Sequence, residues 1–498
     1  MSTDEGVFAG VVTRLSAGNV RRRGTLATGA IWLIGAAIVA AAQPGSARKE
    51  AALGTAVAAI GMILVVVWRT QDHDRRYFRS LLGGTVAVSL TSTELLRWRL
   101  GTDTDFRIAG LETRIALPLM FVLFLPLVAA ALPEEVRNPQ AIWRLRKQAR
   151  PMDWIAAAYV ALIVPGLAVG FAYHSPKTDI AQDLGLVVFL VFMYIAGRLV
   201  PAETARASAQ EFIGVLLVLA VASNMLTHWV PIPLFSYVEA AAAAAVAYWL
   251  LQPRRSSLLA LGVAVTILVA DVVTIHTGSG STVAVDLAGA MAVIAYLVVR
   301  IRPTIPLWLI AAVVVLALVV FVGFTSDGRT LRGQYYGADP SNAGRTYEAQ
   351  QVRNAVRHSP VSIVFGRGFG ATINETGAST VFQNTLYLAG RDLAHVQEVH
   401  LLDYDILLKL GFLGLIWLAA LIVGVVALVY RALEWAARRR DPAPVIYAAL
   451  PLLGLVGALA AATHLQSDPF NGFALGVLVT LLGARTVASE PSESPGPS

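Results

Sequence analysis

Apolar runs of membrane-spanning length recur along most of this chain. A helix needs roughly 20 predominantly apolar residues to cross a bilayer, and many such runs occur among the 498 residues. Hydrophobic residues make up 56% of the chain and charged residues 14%, whereas soluble domains carry about 25% charged residues. The sequence therefore predicts an all-α fold, a polytopic bundle of transmembrane helices, and excludes a soluble globular domain.

The hydropathy pattern predicts about fourteen spans, with twelve to fourteen as the range that the sequence allows. The predicted spans are 25–42, 51–68, 80–97, 113–132, 153–174, 182–200, 210–229, 234–251, 257–275, 283–300, 305–325, 401–430, 444–464 and 469–486. The basic segment before the first span resembles a signal peptide, but another span follows at once, so we expect an uncleaved first span. The chain has no cysteine, which excludes disulfides and thiolate metal sites.

The distribution of Lys and Arg predicts that both termini are cytoplasmic. Loops on the cytoplasmic side of membrane proteins carry an excess of basic residues, and here basic and nearly Arg-free loops alternate along most of the chain. The loop 98–114 is the one conflict. The net charge of +7 is therefore interpreted as membrane anchoring, and no nucleic-acid partner is expected.

One polar segment, 326–399, is far longer than the other connections and is predicted to be extracytoplasmic. Loops of this length without spans of their own are usually functional. Within it, 344–358 predicts a helix that ends before Pro360, 362–365 (SIVF) predicts a short strand, and 366–370 (GRGFG) predicts a tight turn.

Ionisable residues crowd the start of the span that follows this loop, in the stretch EVHLLDYDILLKLGFLGLIW. His400, Asp403 and Tyr404 share one helix face because they lie at positions i, i+3 and i+4. A carboxylate that accepts from one imidazole nitrogen leaves the other nitrogen basic, which suits a general base. The alternative is a histidine that only tolerates the interface. Asp405 and Lys409 are expected to neutralise each other within the bundle.

Arginines in the long loop indicate an anionic partner. Arg353 and Arg357 lie at i and i+4 of the predicted helix, with Arg345 two turns earlier. Guanidinium groups bind phosphate oxygens in a bidentate manner. The alternative is a solvated helix face with Glu348 as a local partner. The glycine-rich turn is not followed by a helix signal, so nucleotide binding is not expected. No metal-binding motif occurs, and the sequence predicts neither a metal nor a cofactor.

Two segments resemble a known family. GRTYEAQQVRNAVRHSPVSIVFGRGFG resembles its arginine-containing helix with the following Pro and G-x-G turn, and VHLLDYDILLKLGFLGLI resembles its His-led helix. The family is the bacterial O-antigen ligase and O-antigen polymerase group. The resemblance implies a GT-C-like membrane glycosyltransferase of the bacterial plasma membrane, acting on undecaprenyl-diphosphate-linked glycans at the outer face. By resemblance, Arg345 and His400 are carried over as catalytic residues.

The resemblance also implies an arginine in an S-R-G-like motif, where TGSGSTVAV has Gly280. Either His276, Arg353 or Arg367 would then compensate, or the donor would differ from that of the family. The expected substrate-binding residues are His276, Arg353, Arg357 and Arg367, with Asp403 and Tyr404 in support. The expected domains are N-terminal transmembrane helices 1–256, a ligase-like core 257–430, C-terminal transmembrane helices 431–486 and a disordered tail 487–498.

The resulting hypothesis is a metal-independent transfer of a glycan from a polyprenyl-diphosphate carrier to a hydroxyl of a glycan or lipid acceptor. Two alternatives stay open. A flippase or transporter would show internal repeats and polar sites near the midplane, and neither is evident. A non-catalytic scaffold that works with envelope-assembly partners is kept open by Gly280.

Overall fold

The chain divides into two compact units, Met1–Arg97 with Thr104–Gln148 and Trp98–Asp103 with Ala149–Ser498. The computed structural model describes residues 75, 77–79, 81–82, 107–108, 111–112, 149–216, 235–252, 290, 292–294, 296–298, 300–301, 340–374, 399, 402–461 and 469–483. The described residues are mostly helical. In the first unit, β1 (Arg107–Ile108) pairs antiparallel with β2 (Leu111–Glu112), a short hairpin that the all-α prediction did not include.

Nine helices of the second unit are described together with their bounds. They are α1 (Pro151–Ala172), α2 (Lys177–Arg198), α3 (Ala202–Ala207), α4 (Phe235–Leu251), α5 (Pro340–Val356), α6 (Pro360–Phe365), α7 (Leu402–Arg439), α8 (Ala443–Ala461) and α9 (Pro469–Gly483). Six of them, α1, α2, α4, α7, α8 and α9, coincide with predicted spans. The helical class of the fold is therefore confirmed.

Three of these helices are long and apolar enough to cross a membrane: α1, the part of α2 from Asp179, and α7. Shorter apolar helices cover Glu239–Leu251, Ala443–Val456 and Asn471–Gly483. The predicted spans 25–42, 51–68, 80–97, 113–132, 257–275 and 305–325 lie wholly or almost wholly outside the described residues. The number of spans and the sidedness of the termini stay predictions.

Small residues allow α2 and α9 to pack closely. A Cβ on Gly472 would lie 2.6 Å from the Leu190 carbonyl oxygen, and a Cβ on Gly476 would meet the Tyr194 carbonyl oxygen. These glycines are four residues apart, the spacing that lets the backbones of membrane helices approach. The G-x-x-x-G sequence of α9 thus fixes which face it presents to α2.

At one end of the second unit, arginine side chains connect the start of α1 with the ends of α2 and α9. The Arg150 guanidinium, at the start of α1, donates to the Gly483 carbonyl at the end of α9 (3.0 Å). The Arg198 guanidinium, at the end of α2, forms an ion pair with Asp153 (2.9 Å). The turn predicted at 366–370 packs at the opposite ends of these two helices, namely the end of α1 and the start of α2.

The helix α7 differs from the predicted continuous span 401–430. It breaks at Gly411, where φ is 64° and ψ is −151°, and it continues to Arg439. A side chain is strained in that backbone conformation, which explains the glycine. The break separates a polar start, with Asp403 and Asp405, from the apolar stretch that begins at Phe412.

Candidate functional site

The arginine-bearing helix α5 confirms the helix predicted for 344–358 and packs along one face. Val352 and Val356 are buried in a cluster with Leu408 of α7 and with Val399, the residue before His400. The polar residues opposite remain exposed, including Arg353. Hydrophobic contact therefore docks α5 on the start of α7 and leaves its arginine face open.

Two predicted site residues meet at this junction. The Arg353 guanidinium donates to the Tyr404 hydroxyl, and its Cζ lies 5.4 Å from the centre of the Tyr404 ring. A guanidinium at this distance from an aromatic face gains a cation–π attraction. Asp403, the neighbour of Tyr404 in the first turn of α7, is half-buried. The structure thus joins the predicted substrate-binding helix to the predicted supporting residue.

The structure describes the other predicted site residues only in part. Arg345 lies in α5, although its side chain is outside the described residues. Arg357 follows the end of α5 and is exposed. His400 and His276 lie outside the described residues, as does Gly280. Their proposed roles stay predictions.

The strand predicted for 362–365 is wrong, because Pro360–Phe365 forms the helix α6. The Ser359 hydroxyl caps this helix by accepting from the Ser362 N–H (3.0 Å), and Pro360 occupies the first helical position. Both are strong helix-start signals. They outweigh the preference of Ile and Val for strands.

The predicted turn at 366–370 is confirmed, since Gly366, Gly368 and Gly370 have φ values of 74°, 82° and 76°. Side chains rarely adopt this region, so the glycines are needed for the turn itself. They also allow close contact with the bundle: a Cβ on Gly366 would lie 2.6 Å from the Leu408 carbonyl oxygen, and one on Gly368 would meet the Gly170 backbone. The turn is therefore packed between α1 and α7.

The turn carries Arg367, which lies over an aromatic residue at the end of α1. The Cζ of Arg367 is 4.4 Å from the centre of the Tyr173 ring. The Tyr173 hydroxyl is 2.7 Å from the Ser362 hydroxyl and 3.2 Å from the Ser359 hydroxyl. These hydrogen bonds, that with Ser359 first and that with Ser362 second, lower the pKa of Tyr173, and the nearby Arg367 charge acts in the same direction.

Tyr173 was missed by the sequence reasoning. Its sequence signal is its position, as the aromatic residue at the outer end of a predicted span (153–174), where aromatic side chains concentrate in membrane proteins. The contact with Arg367 spans almost two hundred positions, so residue spacing could not have indicated it.

A buried ion cluster lies beneath the turn. The Lys409 ammonium is 2.8 Å from a carboxylate oxygen of Asp405, which confirms the predicted pair, and 2.8 Å from one of Asp183. Asp183, from α2, also accepts from the Gly370 N–H at 2.7 Å. All three ionic side chains are buried. The cluster therefore connects α2, α7 and the arginine-bearing turn, and Asp183 is its member that the sequence reasoning missed.

These observations define an integral membrane protein whose bundle carries a docked arginine helix and an arginine turn at one end. Residues 272–419 match the family model described as O-antigen ligase. The match confirms, for that segment, the resemblance to the O-antigen ligase and polymerase family seen in the sequence. No match to the chain was found among curated proteins.

Proposed function

We propose that this protein is a membrane glycosyltransferase that moves a glycan from an undecaprenyl-diphosphate carrier to a hydroxyl acceptor at the outer face of the bacterial plasma membrane. The observation that carries the proposal is the coincidence of the family match, 272–419, with the docked unit of α5, α6 and the start of α7. A lipid-linked glycan is the substrate that the family implies.

The arginines are proposed to bind the carrier's diphosphate. As the bond between the sugar C1 and the phosphate oxygen breaks, the diphosphate leaves with the electron pair and gains negative charge. Arg345 and Arg353, with Arg357 and Arg367 in support, would stabilise that charge. His276 is proposed as a further substrate-binding residue. It would act in place of the arginine that the family has where this chain has Gly280. Guanidinium groups would supply the positive charge, so the proposed reaction is metal-independent.

His400 is proposed to act as the general base. It would accept the proton of the acceptor hydroxyl while the acceptor oxygen forms the new bond to the sugar C1. Asp403, three residues further along the chain, would orient the imidazole. The flanking residues support this assignment, since Val399 lies in the cluster with α5, and Tyr404 accepts from Arg353.

The arrangement of helix ends supports the proposed sidedness. Arg150 and Arg198 lie at the end of the second unit that the basic loops predict to be cytoplasmic. Tyr173, Arg353 and Arg367 lie at the opposite end. We propose that this opposite end faces outward, where the carrier presents its glycan, and that both termini are cytoplasmic.

Substituting His400→Ala tests the proposal in cells that depend on the protein for a surface polysaccharide. Polymer assembly should be abolished while the amount of protein in the membrane is unchanged. His358→Ala is the matched control, because His358 is exposed and lies outside the proposed machinery. Normal assembly in the His400→Ala strain would remove the catalytic role and favour a scaffold.

A further inference from the structure

The short helix α6 has an inverted polarity. Its three β-branched apolar side chains are exposed, Val361 by 52%, Ile363 by 48% and Val364 by 40%, while the polar Ser362 is fully buried. A helix in water would bury the apolar side chains and expose the serine. The inversion indicates that the medium around α6 is apolar.

The position of α6 in the bundle agrees with this reading. The Phe369 N–H, just beyond α6, donates to the Gly166 carbonyl of α1 at 2.9 Å. Gly166 lies six residues before the end of α1 at Ala172, about 9 Å from that end along the helix axis at 1.5 Å per residue. On the other side, Gly366 packs on Gly411, immediately before the apolar stretch of α7. The turn after α6 therefore packs between two membrane-capable helices.

Backbone hydrogen bonding gives an independent reason. Irregular backbone is tolerated at membrane depth only where its polar groups are satisfied by protein. Here the bundle accepts from three N–H groups of the turn. The pairs are Arg367 N to Leu408 O (2.6 Å), Phe369 N to Gly166 O (2.9 Å) and Gly370 N to Asp183 Oδ2 (2.7 Å).

The sequence of the segment fits the same environment. No ionisable side chain occurs between His358 and Arg367. Charged side chains cost several kcal/mol in hydrocarbon, so an uncharged stretch bounded by two basic residues can dip into the membrane while its ends stay at the interface.

We propose that α6 is a re-entrant helix and that Val361, Ile363 and Val364 contact the acyl chains of the bilayer. Arg367 then lies at the level of lipid phosphates, held over Tyr173. A carrier lipid that diffuses within the membrane would reach this arginine without leaving the bilayer. The inference concerns lipid contact alone, and its failure would leave the proposed transfer reaction standing.

The natural absence of cysteine makes the test direct. The single substitutions Ile363→Cys, Phe412→Cys and Asn354→Cys are made in the full-length protein. Each variant is spin-labelled and reconstituted into phosphatidylcholine and phosphatidylglycerol vesicles. Collision with oxygen, which concentrates in hydrocarbon, is compared with collision with a water-soluble nickel chelate. Phe412, exposed in the apolar part of α7, is the lipid reference, and Asn354, exposed on α5, is the water reference.

The proposal predicts that the oxygen-to-nickel ratio at Ile363 matches that at Phe412 and exceeds that at Asn354 several-fold. A ratio equal to that at Asn354 would mean that water covers α6 and would overturn the inference. Low collision with both reagents would mean that protein covers the helix and would overturn it equally. If the label at Ile363 prevents folding, Val361 and Val364 carry the same prediction.

Discussion

Replacing Lys409 by methionine should destabilise the protein strongly. The Lys409 ammonium lies 2.8 Å from a carboxylate oxygen of Asp183 and 2.8 Å from one of Asp405, and all three side chains are buried. Without the lysine, two buried carboxylates face each other uncompensated. Removing one partner of a buried ion pair costs about 3–5 kcal/mol.

Substitutions of Asp183 and Asp405 should differ in their effect on stability, because only Asp183 is hydrogen-bonded to the turn. Asp405→Asn leaves a balanced pair of Lys409 and Asp183 and keeps the hydrogen bond from Gly370. Asp183→Asn weakens both that bond and the ion pair, at about 1.5–3 kcal/mol for a hydrogen bond that involves a charged group. The expected order of destabilisation is Lys409→Met, then Asp183→Asn, then Asp405→Asn.

Thermal unfolding of the purified protein, followed by intrinsic tryptophan fluorescence, measures this order. At about 2 °C per kcal/mol, a loss of 3–5 kcal/mol lowers the Tm by about 6–10 °C. Lys177→Met is the matched control, since Lys177 is exposed at the start of α2, and its Tm should be unchanged. A Lys409→Met protein with the control's Tm, or equal effects of the two asparagine variants, would refute the reasoning.

Three further predictions concern the turn and the arginine contacts. Gly368→Ala should prevent assembly of the arginine turn, because the added Cβ would meet the Gly170 backbone. The control Gly214→Ala should be neutral, since a Cβ there meets open space. A Gly368→Ala protein that keeps the wild-type Tm and transfer activity would contradict this. Tyr404→Phe removes the hydroxyl that accepts from Arg353, so kcat/KM for transfer should fall about fivefold, for a bond of about 1 kcal/mol; an unchanged kcat/KM would contradict the contact's role. The pKa of Tyr173 should lie below the usual value of 10.0, and Ser359→Ala should raise this pKa. The titration of Tyr173 is measured as the difference between the wild type and Tyr173→Phe. The stabilisation linked to this shift is present above pH 10.0 and is lost as the pH falls through the lowered pKa, so stability near pH 7 should not depend on it; a midpoint at or above 10.0 would contradict the assignment.

Local patterns in the sequence predicted the parts of the site that depend on residues close together in the chain. The i, i+4 spacing predicted the Asp405–Lys409 pair, and the glycine spacing predicted the turn at 366–370. The polar helix that carries Arg353 was also predicted, because its length and composition are helical. In each case the determining interactions lie within one or two turns.

Partners that are distant in sequence could not be predicted in this way. Asp183 reaches Lys409 and Gly370 only because α2 packs near the start of α7, and Tyr173 meets Arg367 only because the turn enters the bundle. The strand predicted for 362–365 failed for a different reason. Val and Ile favour strands, but the cap at Ser359 and the proline that follows it start a helix.

The break at Gly411 shows a similar limit. A glycine within an apolar run reads as part of a span, since glycine is common in membrane helices. Its positive φ follows from packing against Gly366 of the turn, a contact that no local pattern encodes. The polar start of α7 and its apolar continuation are therefore two segments with different environments.

Glycan transfer by the purified protein tests the central claim most directly. The protein is incubated with an undecaprenyl-diphosphate-linked oligosaccharide and an acceptor glycan or lipid, in the presence of a metal chelator, and product and released undecaprenyl diphosphate are both quantified. One carrier should be released for each glycan transferred, and both products should be lost in Arg353→Ala. A folded protein that binds the carrier but releases none, with every acceptor offered, would contradict the account and identify a binding scaffold.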